Sequence, residues 1–172
     1  MSQIIPLFKR IAQNNSENPG DGRLEKFFMF KFGNKTFVIP VVDITEVVIP
    51  GAIVSVPGEP YLVGVVNIRG TVVPVVNIRD RINLEKNYVI DENSRLLLLT
   101  IKPAVYVGFV ADRIEYRFKE GIVEPLPGEG RLGEKCFRYA VIENQKYPVF
   151  FIDAWLESNE FEAIVNVAAE YK

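Results

Sequence analysis

The chain has 172 residues, enough for one ordinary domain or two small packed lobes, and 48% of them are hydrophobic, which suits a β-rich globular core. Its formal net charge of −2 indicates neither nucleic acid nor an anionic membrane as a partner. The single cysteine, Cys136, excludes an internal disulfide and is typical of a protein in the reducing cytoplasm. The sequence shows neither an apolar run long enough to span a membrane nor a signal peptide, so direct membrane insertion is not expected.

The absence of histidine limits the chemistry that the chain can perform. It removes Ser-His and Cys-His catalysis, His-containing zinc sites and the usual general base near neutral pH. Cys136 is expected to be structural, since no histidine is present to activate its thiol. Carboxylates or lysines could still act as catalysts, so enzymatic activity is disfavoured rather than excluded. We expect no cofactor and no metal ion.

Residues 1–24 are predicted to form a flexible extension in front of the folded domain. Residues 14–22 are polar, contain Gly and Pro and lack periodicity, as linkers do. Before them, Ile4, Phe8 and Ile11 are spaced for one face of a short helix. Such a helix is marginal on its own, so we expect it to be frayed or docked on the domain or a partner.

Residues 25–156 are predicted to form an all-β domain. Most of their apolar runs have the length of strands and are separated by turn signals such as Gly33-Asn34. One stretch, residues 41–48, also fits a helical turn or two, because its apolar residues recur at helical spacing. Trp155 is expected to belong to the core or to seat the following helix.

The tail, residues 157–172, is predicted to be an amphipathic helix of about three turns that packs on the β domain. Ser158 is a candidate N-cap. Beyond it, apolar residues recur at helical spacing along one face, at Phe161, Ile164, Val165 and Ala168.

An internal repeat predicts two similar β lobes in tandem, residues 25–92 and residues 93–156. At a shift of 69 residues the first parts of the lobes fall into register, with matches that include Phe37 with Tyr106, Asp43 with Asp112, and Glu46 with Glu115. At a shift of 74 residues a hairpin in the first lobe matches a hairpin in the second, and Pro74 meets Pro148. The Pro- and Gly-containing stretch at residues 125–130 supplies the longer connection that the second lobe then needs.

The hairpin of the first lobe is the most informative stretch of the chain. Two β-branched runs, Val63–Ile68 and Thr71–Ile78, flank a tight turn at Arg69 and Gly70. From the hairpin alone, Arg69 is either a solvated turn residue or a presented contact, and solvated charges are common at turn tips. In the repeat Arg69 meets Glu143, so the turn tolerates either charge and does not need an arginine to form.

Four residues are assigned to turn or strand-edge geometry rather than to a ligand site: Gly64, Gly70, Gly108 and Asn144. The glycines lack the spacing of phosphate-binding loops, and no helix is predicted to follow them. Gly70 meets Asn144 in the repeat, and these two residue types adopt positive φ most readily.

Two carboxylate pairs, Asp43 with Glu46 and Asp112 with Glu115, are the candidates for acid–base or metal chemistry. Their recurrence at equivalent positions of both lobes favours a structural or solvated role for at least one pair. The alternative to an adaptor is therefore a small-ligand-binding β protein or a carboxylate-based enzyme that uses such a pair in the cleft between the lobes.

Three stretches resemble the CheW family of chemotaxis coupling proteins, in the order that the family shows. Residues 64–79 resemble G-V-x-N-L-R-G-x-x-V-P-V-x-D-L-R, with Asn77 in place of the usual Asp. Residues 37–47 resemble Y-A-I-P-x-x-x-V-x-E-V, and residues 107–112 resemble V-G-x-x-V-D. The similarity covers about residues 25–156.

The resemblance implies two five-stranded SH3-like barrels, an all-β fold, followed here by the C-terminal helix. It implies a non-enzymatic, cytoplasmic adaptor that is recruited to membrane-associated chemoreceptor arrays and couples methyl-accepting chemoreceptors to the histidine kinase CheA. The partners would be the cytoplasmic tip of a chemoreceptor, the CheA regulatory domain and other CheW-like domains in rings.

The resemblance also supplies candidate site residues. The receptor-binding positions would be Ile44, Glu46, Asn67, Ile68 and Arg69, with the isoleucines giving apolar contact and Arg69 an orienting charge.

The candidate kinase-binding residues are Leu126 and Glu129, on a loop that Pro125 and Pro127 hold. A presented Leu126 would anchor a partner inside a polar rim that includes Glu129, whereas a tucked Leu126 would pack on its own barrel.

Overall fold

The computed structural model describes residues 24–124, 131–132, 135–136 and 138–172 of the chain. The predicted extension lies outside these ranges, apart from Leu24, which begins the first strand. Within the described ranges, neither helix has the length and apolarity that a bilayer crossing requires.

The regular elements are mostly strands, as the sequence predicts. In chain order they are β1 (Leu24–Phe32), β2 (Lys35–Pro40), β3 (Glu46–Val48), β4 (Leu62–Ile68), β5 (Thr71–Val76), β6 (Arg95–Lys102), β7 (Val105–Ala111), β8 (Arg113–Val123), β9 (Arg131–Leu132), β10 (Lys135–Cys136), β11 (Tyr139–Ile142) and β12 (Gln145–Pro148). The helices are α1 (Ile152–Trp155) and α2 (Ser158–Glu170), with 3-10 helices at Val41–Asp43 and Arg79–Ile82. The ambiguous stretch, residues 41–48, is thus a 3-10 turn followed by β3.

Two five-stranded sheets form the body of the protein, and β9 pairs with β10. Sheet I has the strand order β12-β11-β8-β1-β2, and sheet II has the order β3-β6-β7-β5-β4. The edges of each sheet approach through one bridge, between Val38 and Val149 in sheet I and between Val54 and Val65 in sheet II. The all-β class with five strands per unit and a C-terminal helix is confirmed. The barrels are not closed, because a single bridge does not continue the hydrogen-bonded ladder.

Each sheet takes strands from both halves of the chain. Sheet I combines β1 and β2 with β8, β11 and β12, and sheet II combines β3 to β5 with β6 and β7. The expected lobes, residues 25–92 and residues 93–156, are therefore not the spatial units, since the two halves exchange their first hairpins. Strand β1 pairs with β8 along most of its length, from Leu24 opposite Ile122 to Lys31 opposite Arg113.

The two later hairpins are equivalent in register, as the shift of 74 residues predicts. Val65 pairs with Pro74 in β4–β5, and Tyr139 pairs with Pro148 in β11–β12. Both hairpins turn through two residues of positive φ, 49° and 85° at Arg69 and Gly70, and 50° and 64° at Glu143 and Asn144. This backbone matches the turn type that suits the right-handed twist of paired strands.

Of the four residues assigned to turns or strand edges, Gly70 and Asn144 lie in turns. Gly64 lies inside β4, at a register shift, where a Cβ would overlap the carbonyl of Val54. Gly108 lies inside β7, buried, with Leu96 packed over it. These two glycines permit close approach of neighbouring atoms within sheet II rather than a reversal of the chain.

An aromatic cluster fills the space between the sheets. Its rings come from β1, β2, β7, the segment that leads into α1, and α1 itself, and they are fully buried: Phe30, Phe32, Phe37, Phe109, Phe150 and Trp155. Trp155 packs edge-on against Phe150, with ring centroids 4.1 Å apart. The predicted core role of Trp155 is confirmed, and the cluster joins both sheets in one core.

Helix α2 packs its predicted apolar face on this core through buried Ile164 and half-buried Phe161. Its N-cap is Glu157 rather than Ser158, because the Glu157 carboxylate accepts the N–H of Glu160 while the Glu160 carboxylate accepts the N–H of Glu157 at 2.8 Å. Arg81 fastens the helix by donating to Glu160 at 2.5 Å and 2.7 Å.

Candidate functional site

Arg69 and Glu46 are in contact on the surface of sheet II. Arg69 occupies the β4–β5 turn, and Glu46 begins β3. Strands β3 and β4 are the outer strands of the sheet, and its curvature, marked by the bridge between Val54 and Val65, brings them together. Arg69 Nη2 donates a hydrogen bond to Glu46 Oε2. The fold thus joins two predicted site residues that are 23 positions apart in the sequence.

The ion pair is open to solvent, with 71% of the Arg69 side chain and 33% of the Glu46 side chain accessible. The hydrogen bond from Arg69 holds the pKa of the Glu46 carboxyl below its ordinary value, and the same bond raises the pKa of the Arg69 guanidinium. Because water screens an exposed pair, it contributes little to folding stability. Its main effect is to orient the guanidinium on the surface.

Asn67 stabilises the turn that presents Arg69. Its side-chain Oδ1 accepts the backbone N–H of Gly70 at 2.8 Å. The sequence predicted Asn67 only as a contact residue, and the structure adds this local role. The Asn67 side chain is exposed and its amide nitrogen is a separate donor, so the residue can serve in both capacities.

Ile44 and Ile68 are half-buried, and each packs on a different part of the core. Ile44 packs on the main core, which contains the aromatic cluster, and Ile68 packs on the smaller valine and leucine cluster of sheet II. Their exposed parts are available for apolar contact. The sequence missed Val42 and Ile49, which flank Ile44 and Glu46 and are 75% and 73% exposed. Nothing in the sequence distinguishes these residues from core residues of the same apolar run.

A second arginine, Arg79, lies buried between the sheets. Its guanidinium donates to Asp112 at 2.8 Å and 3.3 Å and to the carbonyl of Val110 at 2.8 Å. It lies between the rings of Phe32 and Tyr88, with Cζ 4.6 Å and 4.2 Å from their centroids. Both Arg79 and Asp112 match the family motifs, but no role was predicted for Arg79, and Asp112 was considered only as a member of a carboxylate pair. Each of them is a charged residue that follows an apolar stretch, and this pattern could have indicated a buried ion pair between them.

The Asp112 carboxylate also accepts the N–H of Gly33, in the β1–β2 turn of sheet I, at 2.5 Å. We call the contacts among Arg79, Asp112 and Gly33 the clamp. The clamp ties the exchanged hairpin of the first half to β7 of the second. It also weakens the case for carboxylate chemistry, because Asp112 is engaged by Arg79 and Glu46 by Arg69. In the part of the chain that the structure describes, no group of three or more His, Cys, Asp or Glu residues could hold a metal ion.

The candidate kinase-binding residues, Leu126 and Glu129, lie outside the described residues. Whether Leu126 is presented or tucked therefore stays a prediction.

Comparisons with known proteins agree with the motifs. The family model described as CheW-like domain matches residues 26–154. The chain is similar to the chemotaxis protein CheW of Helicobacter pylori, with 29% identity over 131 residues that cover 73% of this chain and 78% of that protein. It is 34% identical to the chemotaxis protein CheW of Bacillus subtilis over 89 residues, covering 51% of this chain and 56% of that protein.

The fold has a counterpart among solved structures. The scaffolding protein TtCheW from Thermoanaerobacter tengcongensis superposes with a TM-score of 0.61 at 18% sequence identity, over 74% of this chain and 88% of that one. At this identity the likeness shows the fold, and the family model shows the membership. Because the CheW-like domain model matches most of its length, this chain belongs to the CheW-like domain family.

Proposed function

We propose that the chain is a non-enzymatic chemotaxis adaptor that couples chemoreceptors to the histidine kinase CheA. The proposal rests on family membership and on one observation, the presentation of Arg69 at an exposed hairpin tip beside Glu46. We name the surface formed by Ile44, Glu46, Asn67, Ile68 and Arg69 the Arg69 surface. It is the proposed contact with the cytoplasmic tip of a chemoreceptor.

The backbone at Arg69 supports a contact role. Its φ of 49° lies in the left-handed region, which non-glycine residues adopt infrequently. The equivalent position of the other hairpin holds Glu143, with a φ of 50°, so the turn forms without an arginine. An arginine kept here, exposed and oriented by Glu46, is suited to bind a carboxylate or backbone carbonyls of a partner with several donors at once.

The kinase contact is proposed for a separate surface. Leu126 would anchor the regulatory domain of CheA, and Glu129 would belong to the polar rim. Contacts with other CheW-like domains would build rings at membrane-associated receptor arrays in the cytoplasm. With separate surfaces, one adaptor can hold receptor and kinase together and transmit a signal through contacts that differ between two receptor states.

The proposal is tested by titrating the purified chain against a receptor-tip fragment and against the CheA regulatory domain. We expect saturable binding of each, and a ternary complex in which neither partner displaces the other. Competition between the two partners would contradict separate surfaces. Absence of binding to both, with the chain folded by circular dichroism, would contradict the adaptor function.

A further inference from the structure

A groove at the junction of the two sheets lies apart from the Arg69 surface in its residues and in its chemistry. It encloses about 580 Å³, a volume in the range of ligand-binding clefts. Strands β1, β2 and β8 of sheet I form one side, and Asn93 and Arg95, where β6 of sheet II begins, form another. None of the Arg69-surface residues lines it.

Two cations lie side by side on its sheet I wall. Lys31 in β1 is directly opposite Arg113 in β8 and directly opposite Thr36 in β2. Like charges opposite each other in an antiparallel pair are destabilising. Among the described residues, neither Lys31 nor Arg113 forms an ion pair that would offset this repulsion. Packing within the sheet gives no reason for this pair of charges.

Arg95 adds a third cation, in a fixed position. Its Nε donates to the hydroxyl of Tyr116 at 2.7 Å, and its Nη1 donates to the carbonyls of Glu92 at 2.8 Å and Ser94 at 2.7 Å. These partners are neutral, so they orient the guanidinium without cancelling its charge. A group held in place before binding loses little conformational entropy when a ligand arrives.

The turn before Arg95 is also fixed. The Asp91 carboxylate accepts the N–H of Asn93 at 2.8 Å, and the Ser94 hydroxyl accepts the N–H of Asp91 at 2.9 Å. Asn93 therefore faces the groove from an ordered backbone, and its side-chain amide can donate to an acceptor there.

The lining carries three cations and one acid, Glu115, although the whole chain has a net charge of −2. The remaining lining includes the half-buried apolar surfaces of Met29 and Tyr147, which pack against the same small core cluster. Cations therefore stand on two sides of an apolar floor. This arrangement matches a chain with carboxylates on either side of an apolar side chain better than it matches a uniformly charged polyanion.

We propose that this groove binds an acidic peptide segment of a protein partner, in which carboxylates flank an apolar residue. One carboxylate pairs with Arg95 and Asn93, another pairs with Lys31 and Arg113, and the apolar side chain rests on Met29 and Tyr147.

The test uses the full chain and a fluorescein-labelled peptide, Gly-Asp-Glu-Leu-Asp-Glu-Gly, followed by fluorescence anisotropy. We expect saturable binding that weakens as salt is raised, because the contacts are ionic and accessible. The doubly substituted chain Lys31→Glu/Arg113→Glu should bind about tenfold or more weakly. Arg117→Glu is the matched control, since Arg117 is exposed on the same strand but does not line the groove, and it should keep the wild-type affinity within about twofold.

Specificity is measured with the same peptide carrying Asn and Gln in place of Asp and Glu, and with single-stranded DNA as competitor. The proposal would be overturned if the amide peptide bound as tightly as the acidic peptide. It would also be overturned if single-stranded DNA, added at an equal concentration of negative charges, displaced the acidic peptide completely. Equal affinities of the wild type and the Lys31→Glu/Arg113→Glu chain would overturn it as well. Concentration-dependent self-association that the same two substitutions abolish would assign the groove to a second copy and would also overturn it.

The proposal stands independently of the adaptor function. Lys31→Glu/Arg113→Glu should leave binding of the receptor-tip fragment unchanged, and Arg69→Glu should leave binding of the acidic peptide unchanged. If the double substitution abolished both, the groove would be part of the receptor contact and not a separate site.

Discussion

Arg79 binds Asp112 at the junction of the sheets, with 4% of the arginine side chain and 26% of the aspartate side chain accessible to solvent. Asp112 also binds the β1–β2 turn through Gly33, so one carboxylate joins sheet I to sheet II. The two halves of the chain exchange hairpins, and this clamp holds the exchanged β1–β2 hairpin of sheet I against sheet II.

The first prediction concerns this clamp. Asp112→Asn keeps the shape of the side chain but leaves the Arg79 charge buried without a counterion, so the free energy of unfolding should fall by about 3 kcal/mol in urea denaturation. Glu115→Gln is the matched control, because Glu115 is exposed and unpaired among the described residues, and it should change stability by less than about 0.5 kcal/mol. If both substitutions lowered the free energy of unfolding equally, the Arg79–Asp112 ion pair would contribute no more to stability than an exposed carboxylate does.

The second prediction concerns pH. The pKa of Glu46 in the folded chain is lower than in the unfolded chain, where the ordinary value of 4.5 applies. The stabilisation from its ion pair is therefore complete above that value and is lost as the pH falls through the folded-state pKa. A carboxyl-carbon NMR titration should give Glu46 a lower pKa in the wild type than in Arg69→Gln. An identical titration midpoint in both chains would mean that the ion pair does not form in solution.

The third prediction compares how well two glycines, Gly64 and Gly70, tolerate substitution. Gly64→Ala should destabilise the chain by more than about 1 kcal/mol, because its Cβ would overlap the Val54 carbonyl. Gly70→Asn should be tolerated, because open space surrounds Gly70 and Asn144 already adopts the same turn geometry. Thermal melts of the two variants check this, and a larger loss for Gly70→Asn would contradict the assigned roles.

The hairpin registers could be predicted from the sequence because the repeat carries its own markers. Pro74 meets Pro148 and Gly70 meets Asn144 at one shift, and a two-residue turn allows few alternatives. The exchange of hairpins could not be predicted in this way. Alternation of apolar residues indicates which face of a strand is buried, but it does not indicate which strand is its neighbour.

The members of the Arg69 surface could be named from family motifs, but their contacts could not. Arg69 meets Glu46 only because sheet II curves until its edges approach, and curvature leaves no mark in single positions of the sequence. For Arg79 the motif match could be recognised from the sequence, but its burial could not, because composition does not distinguish a buried arginine from a solvated one.

The fourth prediction concerns the kinase contact. Leu126→Asp should weaken binding of the CheA regulatory domain while sparing the receptor-tip fragment, since the proposed surfaces are separate. Isothermal titration calorimetry with each partner measures both effects. Equal losses of both binding activities, together with a lower melting temperature, would place Leu126 in the core and remove this loop from the kinase contact.

The central claim is that the Arg69 surface binds the chemoreceptor, and the most direct measurement is the affinity of a receptor-tip fragment for Arg69→Glu. Glu143→Arg, at the equivalent turn of the other hairpin, is the matched charge reversal. We expect Arg69→Glu to bind the fragment about tenfold or more weakly, with a melting temperature within a few degrees of the wild type, and Glu143→Arg to bind as the wild type does. An affinity retained by Arg69→Glu, or lost in equal measure by both variants, would contradict the claim.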